Sequence, residues 1–307
     1  MRAVVCDRYG PPEVLRPVEI DPPVVRRGQV RVEVRATAVT SSDTFIRGFR
    51  LKPSLWIPGR LALGLTRPRR PVLGMVFAGR VDAVAPGVAA WQVGQRVYGF
   101  DRFGFGCYAQ LKTLPADGVL APSPVNLDDE EAAALPYGGL LAWSFLKGRL
   151  RAGQEVLVYG ASGAVGTAAV QLARAEGARV TAMCGPAHLD LVAGLGADRV
   201  IDYRVYDVTA GPDRFDVVFV AVGNRVGPPS RRDCRGILAP DGTYLAVDRG
   251  RPAPGADDLR LLTRRAEAGQ FRPVIDRRYP LAELAQAHRY VEGGHKAGNV
   301  VISVGVG

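Results

Sequence analysis

The stretch from Val156 to Cys184, VLVYGASGAVGTAAVQLARAEGARVTAMC, constrains the fold of this chain more than any other. Glu155 to Tyr159 is a short apolar, β-branched run of the kind that forms a buried strand. Gly160, Gly163 and Gly166 interrupt it, and a run of small and apolar residues at helical spacing follows before the second strand-like run, RVTAMC. A strand, a tight glycine turn, a helix and a further strand make a parallel βαβ unit. The same alternation continues through AHLDLVAGLG, DRVIDY, FDVVFVAVG, SRRDCRGILAP and GTYLAVD, which predicts an α/β domain with a doubly wound parallel sheet and helices on both faces.

The two ends of the chain read differently. QVRVEVRATAV, from Gln29 to Val39, alternates apolar and polar residues with period two, and VFAGRVDAVAPGV and VGQRVYGF continue the short-strand texture. From Ala121 the texture changes: NLDDEEAAALPYGGLLAWSFL opens with an Asn/Asp cap and an acidic first turn, and its helical run should break at Pro136. The C-terminal FRPVIDRRYPLAELAQAHRYVEGGHKAGNVVISV reads strand, helix, strand. The expected organisation is a β-rich domain of residues 1–121 and 269–307, with the α/β domain of residues 122–268 inserted into it. At 307 residues and 47% hydrophobic content, two buried cores are affordable without metal or disulfide staples. Cys6, Cys107, Cys184 and Cys234 are too scattered for a zinc pair, and MRAVVCDRYG has no apolar signal core; a reducing, cytoplasmic setting is expected. No run approaches the ~20 apolar residues of a membrane span, so no membrane partner is expected. The net charge of +10 is dispersed, mostly as arginine, without interleaved aromatics, and this argues against nucleic acid.

The glycine turn carries the chemistry. Backbone amides at a helix N-terminus favour an anion. Gly163 permits close approach of a pyrophosphate, and Gly166 permits helix and strand to pack closely. Gly160, Ser162, Gly163, Ala164, Val165 and Gly166 therefore form a candidate dinucleotide cradle, with Ser162 a side-chain or backbone donor. The rival is a nucleophilic serine on a strand-to-helix elbow, but Gly160-Ala161-Ser162-Gly163-Ala164 lacks the final glycine. None of His188, His288 and His295 follows a plausible acidic strand in the order that elbow requires. At the tip of the second strand, where an Asp or Glu would bind a ribose 2′-hydroxyl, stands Cys184. His188 and Tyr203, after the second and third strands, can donate to a 2′-phosphate; alternatively His188 is a helix-surface residue and Tyr203 packs beside adenine. NADPH is the expected cofactor, with Val222 after the fourth strand among the residues that contact it.

Taken jointly, DRYGPPEVL, RPVLGMVFAGRVDAVAPGV, VGQRVYGF, EEAAALPYGGLLAW, GASGAVGTAAVQLA, GADRVIDY and PVIDRRYPLAELAQAHRYVEGGHKAGNVVI resemble the zinc-independent medium-chain dehydrogenase/reductase superfamily, quinone oxidoreductase-like, over nearly the whole chain. The resemblance implies a GroES-like β-rich domain, a Rossmann domain inserted in it, NADPH in the cleft between them, and hydride delivery to an enone, enoyl thioester or quinone. At the positions where zinc members carry ligands, this chain has Thr40 and Gly74-Met75-Val76, so no metal is expected. The resemblance places Thr40 where relatives often carry Asn, and Tyr137 where they usually carry an apolar residue. Either can donate to a developing enolate oxygen; alternatively Thr40 satisfies its own strand end and Tyr137 packs against the cofactor. Lys296 and Asn299 are expected on the cofactor side. Val76, Gln110, Leu141 and Val220 depart from the family pattern, which favours a drier pocket and keeps open a non-reductive cyclase or lyase on the same fold. The expected partner is a small-molecule substrate, and the expected assembly is a monomer or an atypical dimer. Phe49 to Pro71 is expected to be a loop bordering the pocket, with Trp56 a lid aromatic.

Overall fold

A computed structural model describes residues 1–51, 56–223, 229–250 and 252–305. In chain order the elements are β1 (Arg2–Cys6), β2 (Leu15–Glu19), β3 (Gln29–Val39), α1 (Ser41–Arg47), α2 (Trp56–Leu63), β4 (Val76–Val84), β5 (Arg96–Phe100), β6 (Leu111–Pro115) and β7 (Leu120–Pro122). Then come α3 (Asp129–Leu146), β8 (Glu155–Tyr159), α4 (Ala164–Ala175), β9 (Arg179–Cys184), α5 (Leu189–Gly194), β10 (Arg199–Asp202), β11 (Phe215–Val220) and β12 (Leu238–Ala246). The chain closes with α6 (Ala256–Glu267), β13 (Ile275–Pro280), α7 (Leu284–Glu292) and β14 (Asn299–Ser303).

Two compact units result. The first comprises Met1–Pro136, Gly255–Thr263 and Ile275–Gly307. Its seven-stranded sheet has the order β13-β14-β3-β4-β5-β7, with β6 also paired to β3. The period-two pattern of β3 buries Val30, Val32 and Val34, and β14 from the far end of the chain runs antiparallel to β3 with Val300 opposite Val39. Both chain ends therefore build this β-rich unit. The start of α3 belongs to it because Asp129 accepts from Arg96 at 2.8 Å and Glu130 takes Arg278 and Ser303 at 2.6 and 2.5 Å. The start of α6 joins through the buried Tyr98 hydroxyl, which donates to the Leu259 carbonyl at 2.8 Å. The observed division thus falls at Pro136 and Tyr137, where 121 and 122 were expected.

The second unit, Tyr137–Pro254 with Arg264–Val274, holds a five-stranded parallel sheet of order β10-β9-β8-β11-β12. This is the doubly wound order, reversing direction beside β8, where such sheets place ligands.

Three local expectations are corrected. Helix α3 runs unbroken through Pro136; its N-terminus is fixed by a reciprocal cap, in which Asp128 Oδ1 accepts from the Glu131 amide at 2.8 Å and Glu131 from the Asp128 amide at 3.2 Å. Burial of Ala132 to Leu135 and of Leu140 offsets the one hydrogen bond that the proline forgoes. Between β11 and β12, the run SRRDCRGILAP forms only a single 3-10 turn, Asp233–Gly236, and its end already belongs to β12. The segment expected to be a loop from Phe49 to Pro71 contains α2. Pro58 lies in its first turn, where a missing N–H costs nothing, and Gly64 at φ 122° stops it.

Candidate functional site

The glycine turn is pinned to the neighbouring strand: the Gly160 and Ala161 amides both donate to the Met183 carbonyl at 2.9 Å. Gly160 has φ 82°, and a Cβ there would lie 2.3 Å from Val222 Cγ1, so Val222 packs directly on the turn. Gly163 is the N-cap of α4, with extended backbone and no side-chain cap. The first amides of α4 have no intrahelical partner, and a Cβ on Gly163 would meet nothing closer than 3.9 Å. Gly166 differs. A Cβ there would lie 2.1 Å from the Gly160 carbonyl oxygen, so this glycine sets the distance between helix and strand. An uncapped helix start beside open space at Gly163 fits the diphosphate of a dinucleotide.

The other α/β-unit residues gather at the same carboxyl end of the sheet. Cys184 ends β9 with 1% exposure, and burial pushes its thiol up to about 11. The half-exposed Gly185 follows, and a Cβ on it would stand 3.4 Å from the Tyr203 hydroxyl. Tyr203 follows β10 and its ring lies 6.1 Å from that of Tyr159; His188 ends the 3-10 turn Pro186–His188 after β9. Tyr137, half-buried, joins them through its neighbour: a Cβ on Gly138 would lie 2.2 Å from the Ala164 carbonyl, so α3 touches the first residue of α4. Ser162 is half-buried, whereas Ala164 and Val165 are buried at that helix start.

The β-rich unit holds Thr40, Lys296 and Asn299. The β3–β14 register places Asn299 and Thr40 at neighbouring strand ends. Burial pushes the Lys296 ammonium down to about 8, against the Asp276 carboxylate, and its Nζ donates to the Gly298 carbonyl. Thr40 is occupied as a helix cap. Its hydroxyl donates to Asp43 Oδ2 at 2.6 Å and accepts from the Asp43 amide at 3.2 Å, while Asp43 Oδ2 also takes the Thr40 amide at 2.9 Å. The expected enolate donor has therefore spent its one proton on Asp43. The signal was present in the sequence, since Thr-Ser-Ser-Asp has capping-box spacing.

Sequence reasoning missed what lies behind that cap. Asp43 is 1% exposed, and burial pushes its carboxyl up to about 6 against the pull of Thr40, Tyr108 and Gly74. Tyr108, fully buried, lies between Asp43 and His288, whose Nε2 is 3.2 Å from the phenolic oxygen. Burial and the Arg47 charge hold His288 down to about 3. Asp43 Oδ1 and His288 Nδ1 have no hydrogen-bond partner.

Zinc does not fit this donor set. Thr40 caps α1, Met75 and Val76 are buried apolar residues, and among the described residues no three His, Cys, Asp or Glu side chains converge. Three of the four departures expected to dry the pocket have other places, and the fourth, Leu141, is half-buried in α3. Val220 belongs to a core cluster with Leu157, Met183 and Ile201, Val76 is fully buried in β4, and Gln110 Oε1 takes the Arg2 amide at 2.7 Å.

The alcohol dehydrogenase GroES-like domain matches residues 26–124, and the zinc-binding dehydrogenase family matches residues 164–261, with a second such match at 246–302. Quinone oxidoreductase of Rattus norvegicus is 30% identical across 98% of this chain and 97% of its own length. The chloroplastic NADPH-dependent alkenal/one oxidoreductase of Arabidopsis thaliana is 30% identical across 98% of this chain and 79% of its own. A solved NAD-dependent alcohol dehydrogenase superposes with a TM-score of 0.82 at 28% identity, covering 99% of this chain and 100% of that one. The family matches and these relatives define an oxidoreductase of the dehydrogenase type. The chain belongs to the medium-chain dehydrogenase/reductase superfamily, in its quinone oxidoreductase-like group.

Proposed function

We propose that the chain is an NADPH-dependent, zinc-independent reductase of an activated carbon–carbon double bond, in an enone or enoyl compound, or of a quinone. The observation that carries the cofactor is the uncapped start of α4 beside the open face of Gly163. In favour of NADPH is the tip of β9: no carboxylate is there to bind a 2′-hydroxyl, and Tyr203 stands over Gly185 as a donor for a 2′-phosphate. The names of the rat and Arabidopsis relatives support the substrate class.

When bound, NADPH supplies the hydride. The amides at the start of α4 hold the diphosphate, and Gly160 with Val222 shapes the turn beneath it. Tyr137, one residue from the contact with Ala164, is the candidate proton donor to the developing oxyanion; Thr40, already committed to Asp43, holds α1 in place. Lys296 and Asn299 are proposed as further cofactor contacts. The reaction takes place in the cytoplasm on a small-molecule substrate.

Fluorescence titration with NADPH and NADH, followed by a panel of enones, enoyl thioesters and quinones, tests the reading. The expected result is tighter NADPH binding and a product heavier than its substrate by two hydrogens. A product equal in mass to its substrate would replace reduction with the non-reductive alternative. The preference can be inverted at Gly185, not at Cys184, because a carboxylate on the buried Cys184 position would be desolvated. Gly185→Asp should shift the NADPH/NADH ratio toward NADH by about 1–3 kcal/mol, and an unchanged ratio would refute the placement of the 2′-phosphate.

A further inference from the structure

Helix α2 is built inside out. Its one charged residue, Arg60, turns inward, with the guanidinium carbon 3.9 Å from the ring centroid of Phe49, 4.9 Å from that of Tyr9 and 5.0 Å from that of Trp56. The same guanidinium donates to the Leu65 carbonyl, and the Tyr9 hydroxyl donates to the Gly64 carbonyl at 3.0 Å. The helix is thus fastened by its polar side. Ile57, Pro58, Leu61 and Ala62, at helical spacing, are all exposed and all apolar. Ile57 is 72% exposed and Leu61 60%; Leu65, just past the helix, is 68%. Arg70 donates to the Gly104 carbonyl at 3.0 Å, which ties the loop carrying the exposed Phe103 to the same segment.

Charge selects what covers this face. From Thr44 to Val81 the chain contains no Asp or Glu, whereas Arg67, Arg69 and Arg70 are exposed beside the helix. A groove of about 570 Å³ opens there, lined by Gly64, Leu65, Thr66, Arg67 and Arg69, with Asp7 at its edge already engaged by Arg16. A second copy meeting this face about a two-fold axis would set arginine against arginine. An eight-residue helix is ~12 Å long, too short to supply the ~800 Å² per partner that a stable protein interface buries. An anionic lipid surface needs no such area: a few apolar side chains enter the headgroup boundary while arginines meet phosphates.

We propose that α2 and the arginine segment behind it form a peripheral docking face for an anionic phospholipid bilayer. The exposed Ile57 and Leu61 enter the interface, and Arg67, Arg69 and Arg70 take lipid phosphates. No helix among the described residues is long and apolar enough to cross a membrane, and peripheral attachment requires none. The inference is independent of the reductase reading.

Trp56 makes the test direct. It is 51% exposed, whereas Trp91 and Trp143 are each 8% exposed, so a lipid-dependent emission change reports on α2. The whole chain is mixed with vesicles of equimolar phosphatidylcholine and phosphatidylglycerol, and with vesicles of phosphatidylcholine alone, and sedimentation and tryptophan emission are read. The expected result is co-sedimentation and a blue shift with the anionic vesicles, tighter than with neutral ones by on the order of 100-fold for three arginines, and weakened by salt. The double variant Ile57→Ser, Leu61→Ser should lose the blue shift, and Arg67→Glu with Arg69→Glu should lose the preference for anionic lipid. Absence of binding to anionic vesicles would overturn the proposal. So would undiminished binding by both double variants, or concentration-dependent dimerisation that the serine variant abolishes. Capture of an acidic protein by this face, without vesicle binding, would also overturn it.

Discussion

Gly163 and Gly166 lie three residues apart and do opposite work. A side chain on Gly163 would enter open space, so Gly163→Val should fold normally and lose nucleotide affinity by about 3 kcal/mol or more, the value of a few hydrogen bonds to a charged group. Retained cofactor fluorescence in the folded variant would contradict this. Gly166→Val must instead push a Cβ into the Gly160 carbonyl oxygen at 2.1 Å. It should destabilise the chain itself by roughly 1–3 kcal/mol or more, read as a lowered urea midpoint without nucleotide. Equal stability of the two variants would show that the helix is free to move away. The packing role of Gly166 was legible in the sequence, because it follows from the place of a glycine between a strand and a helix; the role of Gly163 awaits the nucleotide titration. For Thr40 the sequence left two roles open, donor to a substrate or partner to its own strand end; the same hydroxyl can serve either, and here it closes a capping box with Asp43 at the third helical position.

At the scale of elements, α1 and α7 are linked through Asp43, Tyr108 and His288, with Arg47 close enough to bias both Tyr108 and His288. The two ends of this link respond to pH in opposite senses. Between its ordinary value of 3.8 and about 6, Asp43 holds a proton in the folded chain that the unfolded chain releases. Its contribution to stability is therefore present at low pH and is lost as pH rises through about 6. His288 is the reverse. Below its ordinary value of 6.5 the unfolded imidazole takes a proton that the folded one refuses until about 3, so stability falls with falling pH. Each slope is about 1.4 kcal/mol per pH unit, and between about pH 4 and 6 they cancel. Asp43→Asn keeps a capping oxygen and removes one slope. Its stability relative to the parent chain should fall by ~1.4 kcal/mol per unit on acidification over that range, measured by urea unfolding; parallel pH profiles would refute the coupling. None of this was readable beforehand, because Asp43, Tyr108 and His288 are far apart in sequence and meet only through burial. The strand and helix runs were readable where one periodicity dominated, as in β3 and β8 to β11. They failed at Pro136 and at α2, where tertiary packing and the position of a proline within its helix outweigh the residue's usual effect.

For the whole molecule, the parallel sheet ends at β12, and the Tyr244 hydroxyl of that strand donates to the Pro229 carbonyl at 2.9 Å. Pro252 and Pro254 follow close behind and cannot extend a ladder. A monomer of 32.8 kDa, or a dimer that does not use this sheet edge, is expected by light scattering and structure determination, and a dimer with a sheet continuous across its axis would refute the reasoning. The five strands were foreseeable from the short linker between Asp248 and α6, whereas the exact division between the units was not. The pairing of β3 with β14 reaches further, into how the chain is made. Val39 leaves the ribosome long before Val300, its partner in the ladder. The β-rich unit must wait through synthesis of the whole α/β unit with the Ala36–Val39 end of β3 lacking its β14 partner, while β6 already pairs Gln29 to Glu33; such an exposed strand edge invites misassembly. The α/β sheet, whose strands are contributed by one continuous run from β8 to β12, is free to form first. A nascent chain stalled before β13 should accordingly resist proteolysis in its α/β half and be cut readily within the first hundred or so residues, and the N-terminal half should become protected only when β14 is released.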